Sequence, residues 1–591
     1  MIDDLFDRRI ARGATGLLAE FNRADVLTAA DVHVATRTAA LVGEERDDVR
    51  LAVALAVRAV RLGSVCVDLT TVRASALDAM DEPVDLPWPD AEGWIETVAG
   101  SPVVAQELVR LEGHGVLYLD RYWREERQVR DDLLARLDQV VPAVDDAWLE
   151  RTLDRVFAGQ DDATEQRDAV AMAVRSSTTV LTGGPGTGKT TTVARLLAVL
   201  SEHHERSTGR RPRISMCAPT AKAASRLQES VAEQASTLGD ADQQRLAGLE
   251  ASTLHRLLGW RPNRTRFRHD RTNRLPHDVV VVDETSMVSL TQMARLLEAV
   301  RPEARLVLVG DPDQLASIEA GAVLADIVNG LSEGPVAPLR TVHRYSGAIG
   351  RVAQALRDGD ADAVLDELAS DDPSVLLIDP DDEAALAQVE SDVVQRAVRM
   401  WQAAESGDAV AALAALDSHR LLCAHREGRF GVRGWNLRIE RGVADITGQS
   451  HYAEWYAGRP VLVTANNQTL GVWNGDVGVT MRRADGRLDV ALAAVGGPRH
   501  LATTRLPDTE TLFAMTVHKA QGSQADVVTV VMPPEESALL TRELFYTAVT
   551  RAKEQVRIIG TPASVRAAIE RRALRASGLA ARLSGPASGN I

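Results

Sequence analysis

An α/β protein, with two parallel-sheet units behind a mostly helical N-terminal domain, is what the sequence predicts. Three observations lead there. Between about 165 and 335, β-branched runs (TTVLTG, ISMCAPT, DVVVVDE, RLVLVGD) alternate with helix-like segments, the order in which a parallel sheet and its crossover helices are written. Strand-like runs return at RLLCA, RPVLVTA, ADVVTVVM and VRIIGT, enough for a second unit. Residues 1 to about 150 instead space their apolar side chains as a helix does, in RLAVALAVRAVRL and VLYLDRYWREERQVRDDLLARL.

At 591 residues, 45% of them hydrophobic, the chain has material for three or four cores. Its most apolar window is broken by Arg58 and Arg61, and MIDDLFDRRIARG precedes no apolar run, so neither membrane span nor secretion signal is expected. Three cysteines, Cys66, Cys217 and Cys423, are odd in number and far apart, which argues against disulfides or a zinc site and for a reducing cytoplasm. A net charge of −16 disfavours a protein that coats nucleic acid, because phosphates repel it at long range. It leaves room for a motor with a local basic channel.

Element by element, residues 1–150 read as a separate helical domain, 151–338 as the first α/β unit and 339–575 as the second. In the N-terminal domain, Tyr118, Tyr122 and Trp123 are spaced to share one helical side, for core packing or for contact with a partner. Within the first unit, RPNRTRFRHDRTNRLPHD (261–278) holds six arginines about a turn at Asp270, suggesting a short basic hairpin between the lobes, or simply a solvated loop. Within the second, NGDVG and ADGRLDV mark turns of a small SH3-like β insertion at about 466–510. Residues 357–420 suggest helices at the rim of that unit, and the Gly/Ser/Pro-rich end, 576–591, is expected to fray.

GGPGTGKT, Gly183–Thr190, stands between the strand TTVLT and the helix TTVARLLAVL. This is a phosphate loop in its required context, and it makes the units P-loop NTPase domains of the RecA-like kind. Gly183, Gly184, Pro185, Gly186, Thr187 and Gly188 wrap backbone N–H groups around phosphate, Lys189 reaches the β- and γ-phosphates of ATP, Thr190 offers a hydroxyl to Mg²⁺, and Thr191 follows at the helix start. Asp283 and Glu284 end DVVVV, at the carboxyl end of a strand where open sheets bind ligands. Asp283 suits magnesium and Glu284 the attacking water. Gln314 in GDPDQL follows another strand and can sense the γ-phosphate. Arg344 and Arg551 come from the second half of the chain; reaching the cleft between lobes, they would stabilise transition-state charge, although a lone arginine is as readily a surface ion-pair partner.

In order across 166–553, GGPGTGKT, APTAKAASRL, STLHRLLG, VVDETSM, GDPDQL, VHRYSGAI, AMTVHKAQGSQ and FYTAVTRAK resemble the motifs of superfamily 1 helicases. The resemblance implies that Gln166 reads adenine and that Gln314, Arg344 and Arg551 sense the γ-phosphate. It implies that Thr220, Lys222, Thr253, His255, Thr516, His518 and Lys519 line a DNA strand. Arg266 and Arg268 of the basic segment join that set as candidate phosphate contacts. AMTVHKAQGSQ has the form of the 5′→3′ branch, superfamily 1B, shared by RecD, Dda-like and Pif-type helicases. RLLCAHREGRFGVRGWNLRIE, GVWNGDVG and the N-terminal LAVALAVRAVRLGSVCVDL resemble the RecD family, which implies single-stranded or duplex-end DNA as substrate, RecB-like and RecC-like partners in a heterotrimer, and any nuclease centre in a partner. Ala221 departs from the glycine common there but keeps a small side chain. A stand-alone helicase, an RNA motor of the same superfamily, or a mainly regulatory and assembly subunit remain the alternatives.

Overall fold

The computed structural model describes residues 9–77, 85–160, 162–261, 266–331, 334–342, 347–448, 453–467, 469–494, 497–506, 508–573 and 575–585. Near the N-terminus, helices Gly16–Arg23, Ala29–Leu41 and Asp47–Arg61 close over Phe21, Leu51 and Leu55. The arginines that interrupt the apolar run are paired: Arg58 donates to the Val26 carbonyl at 2.9 Å and Arg61 meets Asp31 at 2.8 Å. Strands β1 (Cys66–Asp68), β2 (Val109–Glu112) and β3 (Val116–Leu119) form an antiparallel sheet in the order β1-β3-β2. Tyr118 therefore sits on a strand, not on the helical face expected for it. VLYL is β-branched and aromatic enough to be the central strand, and the helix starts only at Asp120.

That helix, Asp120–Leu137, crosses onto the first α/β unit. Arg136 donates to the Thr178 hydroxyl (3.1 Å) and the Arg301 carbonyl (2.9 Å), Gln128 donates to the Ala294 carbonyl (3.0 Å), and Val129 and Leu133 are buried in that unit's core. The N-terminal domain, which has a core of its own, is thus docked on the motor through this helix.

The first unit is a six-stranded parallel sheet of β4 (Thr178–Gly183), β5 (Ile214–Ala218), β6 (Ala251–Thr253), β7 (Val279–Val282), β8 (Arg305–Gly310) and β9 (Val336–Leu339), ordered β6-β5-β7-β8-β4-β9. Its central strands are buried on both faces, so their sequences are unbroken apolar runs. The basic segment does turn at Asp270, whose carboxylate accepts the Thr272 N–H and hydroxyl and the Asn273 N–H. It does not lie between the lobes as expected. Arg271 pairs with Asp132 at 2.7 Å, which draws the segment onto the helix Asp120–Leu137; residues 262–265 lie outside the described residues.

In the second unit, β10 (Val375–Ile378) and β11 (His419–Cys423) lead into an antiparallel insertion of β12 (Pro460–Val463), β13 (Val477–Arg482), β14 (Leu488–Leu492), β15 (Arg499–Ala502) and β16 (Thr509–Thr511). The chain then returns through β17 (Ala514–Thr516), β18 (Ala525–Val531) and β19 (Ala552–Ile559) to complete a parallel sheet ordered β10-β19-β18-β11-β17. RPVLVTA, expected in that parallel sheet, is β12 of the insertion, which spans 460–511 rather than 466–510. All of β12 is buried, so its apolar run alone could not tell a parallel partner from the antiparallel neighbours β13 and β16 on either side of it.

The end of the chain departs most from expectation. Of the tail expected to fray, residues 576–585 are docked, as is Arg575 before them, and 586–591 lie outside the described residues. The Val65 N–H donates to the Ala576 carbonyl (2.7 Å), Arg575 donates to the Glu319 carbonyl (3.1 Å), and the helix Leu579–Ser584 buries Leu579 and Leu583 against the first unit. Arg582 donates to Glu126 at 2.7 Å, and that carboxylate also accepts the Ser577 hydroxyl and the Gly578 N–H, each at 3.1 Å. Composition signalled a loose tail because the partners that hold it lie from 256 to 512 residues away in the sequence.

Candidate nucleotide site and strand track

The phosphate loop leaves β4 and enters the helix Lys189–Thr208. Gly186 and Gly188 take φ values of +85° and +82°, a region costly for any residue with a Cβ, so glycine is needed for the loop to close. Lys189 Nζ donates to the carbonyls of Gly183 (2.6 Å) and Gly184 (2.9 Å), and the Thr187 hydroxyl donates to the Gly184 carbonyl at 2.9 Å. Gln166 is buried beside the loop, its Nε2 3.5 Å from the Thr187 carbonyl.

Facing the loop, Asp283 and Glu284 emerge from β7. Glu284 has φ +50°, a strained conformation for a side chain of its size and one found where a site fixes a residue in place. The Asp283 N–H is held by the Cys217 carbonyl (2.9 Å), and its carboxylate accepts the Glu284 N–H (2.8 Å). Burial, and after it the neighbouring Glu284 charge, push the Asp283 carboxyl well above the usual carboxylate range, while the Glu284 N–H and then Lys189 pull it down.

The second unit closes the cleft. Arg551 is buried, donating to the Thr547 carbonyl (2.9 Å), the Ser523 carbonyl (3.4 Å) and Gln314 Oε1 (3.2 Å). Gln314 Nε2 donates to Asp311 (2.9 Å). Three further bonds span the lobes: Thr547 Oγ1 accepts the Leu315 N–H (2.8 Å), Gln521 donates to the Leu315 carbonyl (2.6 Å) and Arg226 to the Gly522 carbonyl (2.7 Å). A cavity of about 590 Å³ results, lined by Pro185, Gly186, Gly188, Lys189, Thr190, Thr191, Asp283, Glu284 and Gln314 of the first unit and by Arg551 of the second. Gln166, Gly183, Gly184 and Thr187 adjoin it without lining it, and Arg344 lies outside the described residues.

Several lining or linking residues are not singled out by the sequence, although all but Arg357 fall within its motifs. Arg226 and Gln524 line the cavity. Arg357, on the helix Ala348–Asp358, donates to the Tyr546 hydroxyl at 3.0 Å, and that hydroxyl donates to Asp311 at 3.0 Å. APTAKAASRL contained a signal for Arg226; Arg357 is one arginine of an amphipathic helix, and only the meeting of the lobes gives it a role.

Thr220, Thr253 and Thr516 stand at the carboxyl ends of β5, β6 and β17. Each caps the helix that follows, accepting the N–H of Ala223 (3.2 Å), Arg256 (3.2 Å) and Lys519 (3.4 Å). The His255 ring lies 5.8 Å from that of Phe267. Burial holds the imidazoles of His255 and His518 below their ordinary value. Lys519 pairs with Glu510 at 2.6 Å. Lys222 is half-buried; desolvation, then the charge of Arg420 from the second unit, pulls its ammonium down to about 7. Arg266 and Arg268 are exposed, and Arg266 shares a hollow with Arg121, Glu125 and Arg295, on the side of the N-terminal helix.

Comparison with known proteins finds relatives that span nearly all of the chain. Residues 23–151 match the model of the N-terminal domain of the RecBCD enzyme subunit RecD, 162–373 an AAA domain, and 511–559 a UvrD-like helicase C-terminal domain. The RecBCD enzyme subunit RecD of Mycobacterium tuberculosis H37Rv is 54% identical over 585 residues, covering 98% of this chain and 99% of that one. That of Mycolicibacterium smegmatis is 54% identical over 566 residues, covering 95% and 98%. The crystal structure of Bacteroides Pif1 bound to ssDNA aligns at 16% identity and a TM-score of 0.36, covering 67% of this chain and 91% of that one.

Proposed function

This chain belongs to the RecD family of RecBCD enzyme subunits, and we propose that it is the 5′→3′ single-strand motor of a heterotrimer with RecB-like and RecC-like chains. The chain is an ATP-dependent DNA helicase. One observation carries the mechanism: a single cavity collects Lys189, Asp283, Glu284 and Gln314 from one unit and Arg551 from the other. ATP bound there touches both lobes, so its arrival favours closure and its hydrolysis permits opening.

Each role follows from position. The loop N–H groups and Lys189 hold the phosphates. The donor set of the Thr190 hydroxyl and the Asp283 carboxylate fits magnesium, which prefers hard oxygen ligands; when bound it supplies neutralising charge at the phosphate oxygens. Glu284, fixed by its backbone strain, orients the attacking water and takes its proton. Arg551 and Gln314 face the charge that develops on the γ-phosphate. Gln166, beside the loop, reads adenine. The threonines at 220, 253 and 516, with Lys222, His255, His518 and Lys519, line the strand on the other face of both sheets, and opening and closing the lobes changes their spacing along it.

The N-terminal domain, with the helix Asp120–Leu137 seated on the motor, is the partner-binding element. Among the described residues, no helix is long and apolar enough to cross a membrane. The test is unwinding of duplexes with a 5′ or a 3′ single-stranded tail by the chain purified with its partners, against the same assembly carrying Lys189→Ala as the control for unwinding that does not come from this chain. Unwinding that the control loses is expected from the 5′ tail alone, with copurifying large chains; preference for a 3′ tail refutes the polarity, and a chain that purifies alone refutes the assembly.

A further inference from the structure

We propose that Arg357 is a positioning residue of the nucleotide site, which locks the second lobe onto the phosphate loop and fixes the orientation of Gln314. The proposal rests on the reading of the cavity as the ATP site and assigns a determinant to it.

Two geometries support this. First, one line of hydrogen bonds crosses the cleft twice. Arg357 Nη2 donates to the Tyr546 hydroxyl (3.0 Å), which donates to Asp311 Oδ2 (3.0 Å). The same oxygen accepts Gln314 Nε2 (2.9 Å), so the Gln314 carbonyl oxygen is turned to accept from Arg551 Nη2 (3.2 Å). Without the anchored carboxylate the Gln314 amide is free to flip, presenting N–H where it now presents oxygen to Arg551. Second, Arg357 lies against the loop itself. A methyl group placed on Gly184 would overlap its Nη2 and stand 2.8 Å from the Tyr546 hydroxyl. Gly184 is not in the left-handed region, so its missing side chain serves this close approach and not a turn.

Arg357 also faces Asp313, with Nε 3.4 Å from the carboxylate, and its guanidinium lies 5.8 Å from the Tyr546 ring centroid. The guanidinium therefore bridges residues of both lobes beside the loop. A lobe pair held in the binding-competent arrangement for a larger fraction of the time binds ATP more tightly in that proportion. Arg357 accordingly governs ATP affinity more than the chemical step.

The experiment is a double-mutant cycle on the full-length chain, reading KM for ATP and kcat with saturating oligo-dT. Arg357→Gln is expected to raise KM roughly tenfold, the scale of a buried charged hydrogen bond. Gly184→Ala is expected to raise it comparably by displacing the guanidinium. Together they should be no worse than the more damaging single change, because both remove one contact. KM does not depend on the folded fraction of a preparation, so a merely structural role lowers apparent kcat and leaves KM in place. If Arg357→Gln cannot be purified, Arg357→Lys, which keeps the charge without the planar fork, is read in the same way. An unchanged KM, or single effects that multiply, overturns the proposal. Lys189→Ala separates the two levels: if that variant still hydrolyses ATP, the nucleotide-site reading fails; if it is inactive while Arg357→Gln is normal, only the role of Arg357 falls.

Discussion

Replacing Arg551 with alanine separates two things its guanidinium does at once. It donates to the Thr547 and Ser523 carbonyls and to Gln314 Oε1, and it presents positive charge to the cavity. Losing the first leaves buried acceptors with fewer donors, about 1–3 kcal/mol apiece before water enters from the open cavity to relieve part of it. Losing the second removes transition-state stabilisation, which for an arginine in this position is worth roughly 10³- to 10⁵-fold, or about 4–7 kcal/mol. The chemical step should therefore suffer far more than the fold. The assay is phosphate release with saturating single-stranded DNA, alongside titration with a fluorescent ATP analogue. We expect kcat to fall by at least roughly 10³-fold and nucleotide affinity by no more than about tenfold. Arg551→Lys should not rescue, since an ammonium cannot bridge the same acceptors in a fixed plane. A kcat within tenfold of the unmodified protein would refute the assignment.

Lys189→Ala should abolish DNA-stimulated hydrolysis with the unfolding temperature unchanged; persistent hydrolysis would mean that the phosphates are held elsewhere. The ammonium of Lys222, drawn down to about 7, is charged below that pH and neutral above it, so single-strand affinity should weaken as pH rises from 6 to 8. His255 and His518, held below their ordinary value, gain protons only on the acid side of that window. In Lys222→Arg the slope should flatten, and an identical slope removes Lys222 from the strand track. Arg582→Ala should strand the fully buried Glu126 carboxylate, at a cost of about 3–5 kcal/mol, read as faster amide exchange in β1 and β3. Adding Glu126→Gln should recover part of that loss, and unaltered exchange in the single variant speaks against the contact.

What could be read from the sequence was whatever a local pattern encodes. The loop Gly183–Thr190, the carboxylates after DVVVV and the glutamine of GDPDQL all lie at strand ends, and strand ends in a parallel sheet converge whatever the rest of the chain does. Elements defined by distant partners were less visible. β17 is only three residues long and has no periodicity to detect. RPVLVTA is buried all round and so carries no sign of which sheet it joins. Arg357 and Tyr546 acquire their function only when the lobes meet, and the C-terminal segment looked mobile because its composition reports nothing about the surfaces that cover it.

That C-terminal segment sets an order of events during synthesis. The Ala576 N–H donates to the Ser64 hydroxyl across 512 positions of sequence, so the seam between the N-terminal domain and the motor cannot close until residues 575–585 have been synthesised. Contacts of such separation form late. A chain that stops short of residue 575 leaves the Glu126 carboxylate without its Arg582 partner and the apolar seat of Leu579 and Leu583 open to water.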